Sequence, residues 1–339
     1  MKIRLTLFLL GTAVLSALGQ QPDIGPSAGT RYATDAYPGF DDEKGIVAPS
    51  KKEPRWFSWF TGPKRDDASE QFAYCEELMA EENWSKAAKH YDALVRNWPT
   101  APEAAKAQKA LADVLADRIG DYEEAFAAYR YLVDFYSLGC DYDQMVDRMY
   151  EMAGKMREEG KTIVFFRFDN TVDVRRAYEA CVLRAPGAKW VKDAMLTIGA
   201  LREDEQKYTE AIKVYENLVN LHYGTPEAKR AVAREGAVRM IVLNDHAYNR
   251  ERCVDTIDFL KLAMTRCSPE DVPQFQAWLD EAKSHLEDEA FRAAKFYDTK
   301  MRTRRSAIGA YERYLSDYPN GAHADEVRAR LAELKGDEQ

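Results

Sequence analysis

The chain has 339 residues, 57 Asp+Glu against 48 Lys+Arg, and 46% hydrophobic residues. That apolar content excludes wholesale disorder, and 31% charged residues exclude a membrane-embedded protein. A net charge of −9 excludes a dedicated nucleic-acid binder, which needs a basic surface to displace counterions from phosphates, and five cysteines do not make a disulfide scaffold.

At the start, Lys2 and Arg4 precede an uncharged run from Leu5 to Leu18, with Ala17 and Gly19 at the −3 and −1 positions of a cut before Gln20. Those are the n-region, h-region and cleavage site of a secretory signal peptide. The run is shorter than the roughly 20 residues needed to span a bilayer. No cysteine follows it, so no lipid-attachment site is expected. Residues 1–19 therefore read as a signal peptide, and the exported chain is expected in a periplasm, peripheral at the outer membrane if a partner holds it there.

Residues 20–67 hold six of the 13 prolines and five glycines, with no sustained apolar period. Such a stretch cannot bury enough surface to offset its ordering entropy, so it reads as a flexible leader. Within it lies Arg55-Trp56-Phe57-Ser58-Trp59-Phe60, flanked by Lys51, Lys52, Lys64 and Arg65. These rings either pack as a cap on the first helix pair or, led by Trp56 and Trp59, dock a partner or membrane interface.

From Ala68 to the C-terminus, apolar residues recur at helical spacing in a sequence rich in Ala, Glu, Lys, Arg and Leu. One phrase returns: Ala87 with Tyr91, Ala125 with Tyr129, Ala211 with Tyr215, and Ala307 with Tyr311. Pro99 and Pro319 each stand twelve residues beyond their alanine. A small residue where helices cross, an aromatic one turn on and a terminal Pro spell the second helix of a tetratricopeptide repeat. Cys75 and Gly199, twelve residues before Ala87 and Ala211, supply the small residue of the first helix. Val174, Tyr178 and Pro186 mark a weaker unit, and Asp255, Phe259 and Leu262 a divergent one. The expected fold is all-α: a tetratricopeptide-repeat superhelix, or α-solenoid, of five to six helix pairs over residues 68–339, closed by a capping helix near Ala322–Leu334. Lys161–Phe168 reads as an extended connector rather than a sheet.

Catalytic patterns fail on spacing. Gly154 and Gly160 are separated by five residues where a phosphate loop has four, and the flanking order is reversed; a helix C-cap at Gly160 explains the pattern better. The five histidines are scattered, without metal-ligand spacing, and there is no Gly-x-Ser-x-Gly or Cys-x-x-Cys. Asn83-Trp84-Ser85 spells a glycosylation sequon, but its place between paired helices makes Asn83 a turn residue and N-cap. No enzyme activity, metal or cofactor is expected.

Asn97-Trp-Pro-Thr-Ala-Pro-Glu-Ala104, Ala185-Pro-Gly-Ala-Lys-Trp190 and Tyr314-Leu-Ser-Asp-Tyr-Pro-Asn-Gly321 carry a family likeness. The stretch from Glu70 to Leu334 resembles the BamD-type outer-membrane assembly lipoproteins, with the YbgF/CpoB group of periplasmic adaptors as a second match. The resemblance implies a scaffold that holds an outer-membrane assembly barrel protein and unfolded β-barrel substrates. A peptidoglycan- or division-linked adaptor, or a superhelix accessory to a cell-wall hydrolase, is the alternative. The lipid-bearing cysteine of the family is missing here. Partner contacts are expected on the first helices, at Phe72, Glu76 and Met79 and at Leu196 and Glu203. Lys300, Arg302, Arg304 and Arg305 form a basic knot that either offsets a helix dipole or meets an acidic partner surface.

Overall fold

The computed structural model describes residues 39–41, 45–47, 62–159, 161–163, 166–168, 171–245, 249–301 and 303–336. The expected signal peptide, the aromatic leader motif with Trp56 and Trp59, Gly160 and Arg302 lie outside the described residues. Two short strands within the leader, Gly39–Asp41 and Gly45–Val47, pair antiparallel. They give local structure to a segment whose composition predicts none.

The chain divides into two compact units at residues 206 and 207. The first holds α1 (Ala68–Ala80), α2 (Trp84–Asn97), α3 (Ala104–Val114), α4 (Tyr122–Phe135), α5 (Tyr142–Glu159), α6 (Thr171–Arg184) and α7 (Val191–Asp204). Each of these helices packs on the next. The second unit holds α8 (Tyr208–Leu221), α9 (Pro226–Asp245), α10 (Arg250–Ala263), α11 (Val272–Thr299), α12 (Arg304–Asp317) and α13 (Ala324–Gly336), again with sequential packing. Within the first unit α1–α2, α3–α4 and α5–α6 are paired helices, and within the second α9–α10 and α11–α12 are, with α13 closing the series; α7 ends the first unit and α8 begins the second.

The second helices keep one register. Their fourth residue is Ala87, Ala125, Val174, Ala211, Cys253 or Ala307, and each is at most 1% exposed. Four residues on stand Tyr91, Tyr129, Tyr178, Tyr215, Ile257 and Tyr311, all buried. Three further on, Leu94, Leu132, Cys181, Leu218, Leu260 and Tyr314 complete the buried stripe. The i, i+4, i+7 spacing places all three on one helix face. This register corrects the fifth unit: Asp255 is exposed, and Cys253 occupies its small slot. Thiol size rather than sequence likeness makes that substitution work. Cys75, Cys181, Cys253 and Cys267 are buried, whereas Cys140 lies half-buried in the turn before α5.

The turn that precedes a second helix also repeats. Glu82, Gly120 and Gln206, each five residues before its marker, have φ of 57°, 77° and 59°. The left-handed conformation ends the first helix, and only Gly120 adopts it without steric cost. Asn83 stands at the N-cap of α2 as expected, but its carbonyl rather than its side chain meets the helix: the Ala87 amide donates to it at 2.9 Å.

Two local departures shape the first unit. Leu115–Ile119 form a π-helical turn at the end of α3, which inserts one residue before Ala125. Lys161–Ile163 and Phe166–Phe168 pair antiparallel, so the expected extended connector is a short hairpin instead. The two strands satisfy each other's backbone hydrogen bonds, which a lone extended segment could not do.

Two helices of the second unit approach closely at Gly236 of α9. A Cβ there would stand 2.8 Å from the Phe275 ring and 2.9 Å from the Trp278 ring, both on α11. Phe275 is fully buried, so its ring has little room to retreat. Gly236→Ala is expected to destabilise the second unit by about 1–3 kcal/mol through overpacking, despite the higher helix propensity of alanine. A urea melt followed by Trp278 fluorescence checks this; an unchanged midpoint would remove Gly236 from the crossing.

Candidate functional site

Three tyrosines that stand four residues after their marker, Tyr91, Tyr129 and Tyr311, are also polar links of the array. A phenol hydroxyl taken from water needs a partner, and here it is a carboxylate on the preceding helix. Tyr91 donates to Glu76, and Tyr129 donates to Asp113 at 2.6 Å. Tyr311 donates to Asp298 at 3.2 Å. Burial pushes all three phenols above their ordinary range, reinforced by the adjoining carboxylates, so they stay protonated donors.

Neighbouring residues confirm that the first two links are equivalent. Gln71 of α1 donates to the His90 carbonyl at 3.3 Å, and Gln108 of α3 donates to the Ala128 carbonyl at 2.9 Å. His90 and Ala128 each stand three residues after their marker. The second pair spans one residue more in both bonds, which is the residue inserted by the π-turn.

Arginines tie two of these links onward. Arg148 of α5 donates from Nε to the Tyr129 hydroxyl at 3.0 Å and pairs with Asp117 at 2.6 Å and Glu151 at 2.7 Å. Arg330 of α13 grips Asp298 through Nε at 2.7 Å and a terminal nitrogen at 2.9 Å. That fork holds the Asp298 carboxyl below its usual range. Consecutive pairs are thus fastened within each unit by directional bonds as well as by apolar burial.

The expected contact residues of α1 sit along this structure. Glu76 is exposed but engaged by Tyr91. Phe72 is half-buried with its ring 5.9 Å from Tyr91, and Met79 is half-buried. In α7, Leu196 and Glu203 are both half-buried. Phe72, Met79 and Leu196 therefore each keep some apolar surface uncovered.

The basic knot is divided in its roles. Arg304 donates through Nε to the Leu334 carbonyl at 2.8 Å and caps the end of α13. A cation at that end also offsets the helix dipole. Lys300 and Arg305 are exposed and form no ion pair among the described residues. Beside Lys300 stand Phe296, Tyr297 and Met301, which are 52%, 42% and 57% exposed. Sequence reasoning missed these three; the aromatic pair just ahead of the basic run was the available signal.

No group of three or more His, Cys, Asp or Glu among the described residues could hold a metal ion. No helix among them is long and apolar enough to cross a membrane.

The family comparison agrees with this geometry over the first two helix pairs. Residues 76–139 match the tetratricopeptide repeat family. Among solved structures, the chain is similar to a tetratricopeptide repeat protein from Parabacteroides merdae ATCC 43184. The two share 13% identity over 79% of this chain and 98% of that one, with a TM-score of 0.28. No curated protein matches. The fold is all-α with tetratricopeptide-type helix pairs, an architecture whose repeats serve as protein-interaction scaffolds.

Proposed function

We propose that this protein is an exported, non-enzymatic scaffold that holds protein partners at the outer membrane of a bacterial envelope, in the assembly of β-barrel proteins. The observation that carries the reading is the repeat itself. The second helices of six repeat units share one buried register, and tyrosine–carboxylate links stiffen three of the pairs. A stiff array keeps distant contact residues in fixed positions, which lowers the ordering cost of binding. The signal-like N-terminus and the resemblance of Glu70–Leu334 to BamD-type factors support the location and the pathway. Partner contact is assigned to the half-buried apolar residues of α1 and α7 and to the turn that carries Lys300 and Arg305.

An acidic partner surface is the natural complement of that turn in a chain of net charge −9. Lys300→Glu with Arg305→Glu should leave helicity and melting nearly unchanged, because exposed charges contribute little to stability. Partner capture from envelope extracts should fall at low salt and lose its salt dependence. Wild-type capture by the double variant at low salt would make the turn a solvated connection only.

A further inference from the structure

A cavity of about 160 Å³ opens in the second unit at one end of three helices. It lies where the α8–α9 turn meets the segment that leaves α10. Val219, Ala228 and Val232 give it an apolar wall, and Tyr223, a residue 69% exposed, stands beside them. Its volume is about that of the ~150 Å³ cavities that accept a benzene-sized apolar group.

Two cations line the same space. Lys229 and Arg266 are half-buried, and neither forms an ion pair among the described residues. Arg266 lies over the Tyr223 ring, 5.8 Å from its centroid. Lys229 occupies the first turn of α9, which starts at Pro226. A helix N-terminus carries partial positive charge, which Glu227 in the same turn offsets, while Lys229 itself stays outside any ion pair of that turn among the described residues. Helix capping explains many basic residues in turns, but it does not explain this one. The amides of that turn are already taken, since Ala228 donates to the Thr225 hydroxyl at 3.2 Å and Lys229 to the Thr225 carbonyl at 3.1 Å, so any anion here is met by the two cationic side chains.

We propose that this cavity binds a monocarboxylate bearing a small aliphatic group, with Lys229 and Arg266 meeting the carboxylate and Val219 and Val232 the apolar part. A free branched organic acid and a peptide chain ending in an aliphatic residue share that chemistry. The site is independent of the scaffold reading, since it uses none of the residues assigned to partner contact.

The test is an NMR titration of the full chain with N-acetyl-leucine, read at the backbone amides of Gly224 and Cys267. Saturable shifts are expected, weakened at least tenfold by Lys229→Ala with Arg266→Ala. N-acetyl-leucine amide, which lacks the charge, and inorganic phosphate, which lacks the apolar group, should both bind at least tenfold more weakly. A far-UV circular dichroism spectrum matching wild type shows that the variant is folded. Equal binding of the amide, or undiminished binding by the folded variant, would overturn the site. Phosphate binding as tightly as N-acetyl-leucine would overturn its apolar half. An uncharged pentapeptide ending in leucine separates the two sources: tighter binding than N-acetyl-leucine assigns the site to chain termini, and weaker binding assigns it to the free acid.

Discussion

Arg175→Ala is expected to cost about 3 kcal/mol in the stability of the first unit, toward the lower end of the range for breaking a buried ion pair. Arg175 is buried and bonded from Nε to Glu205 at 2.5 Å and from a terminal nitrogen to Glu179 at 2.8 Å. Arg202 also reaches Glu179 at 3.0 Å and Glu205 at 3.8 Å. Four charges therefore neutralise one another between α6 and α7. Removing Arg175 leaves two carboxylates in a poorly solvated site with one cation, and the desolvation of the orphaned acid dominates the loss. Arg202 softens the effect, which sets the estimate at the lower end. Arg175→Lys should recover little, because a compact ammonium cannot reproduce the forked geometry. Native-state hydrogen exchange of the α6 and α7 amides reads the change locally, which suits a repeat array whose parts need not melt together. Unchanged protection in α6 would show that the quartet contributes nothing net.

The second large effect is on pH dependence, and it arises at Glu235. This α9 residue is 2% exposed. Burial raises its carboxyl to about 7, against the opposing pull of Arg239, which donates to it at 2.8 Å. Arg239 is shared with Glu216 at 2.5 Å and stacks over Phe259 at 4.5 Å, so it cannot serve Glu235 alone. A folded-state value above the unfolded one means that the folded protein binds the proton more tightly. Between the ordinary glutamate range and pH 7, folding therefore takes up a proton, and stability falls as pH rises through that window. Each unit of upward shift corresponds to about 1.4 kcal/mol. Glu235→Gln removes the titration while keeping an acceptor for Arg239. Wild type should thus gain stability relative to this variant as pH drops from 8 to 5, and the difference should be flat above 8. Parallel urea melts of the two proteins across that range provide the check. A constant difference would place the Glu235 carboxyl in its ordinary range.

How much of this was readable in the sequence depends on what each feature leaves in the residue pattern. The second helices announce themselves because Ala87, Ala125, Ala211 and Ala307 sit at crossings that admit only small side chains, each followed by tyrosine one turn on. Cys253 escapes that reading, since neither it nor Ile257 resembles the alanine–tyrosine phrase, although volume and burial match. The π-turn at Leu115–Ile119 is invisible because one extra residue inside a continuous helix breaks no propensity rule. Its effect appears only in the lengthened spans of the Gln108 and Tyr129 bonds. The Lys161–Phe168 hairpin escapes for a different reason: three-residue strands are too short to show alternation.

At the candidate surface, sequence located the cations but not their duties. Arg304 looks like Arg305 in the chain, yet it caps α13 through a carbonyl thirty residues away. That contact is set by how α12 meets α13, which charge patterning cannot express. The Lys229–Arg266 cavity is equally hidden, because its two cations are brought together by the turn of α9 against the end of α10.

Affinity capture with the C-terminally tagged full chain, after crosslinking in cells, tests the scaffold reading most directly. Mass spectrometry of the recovered proteins should identify an outer-membrane barrel-assembly protein, recovered less from cells carrying Lys300→Glu and Arg305→Glu. Recovery of cytosolic proteins alone, or of nothing above an untagged control, would contradict it.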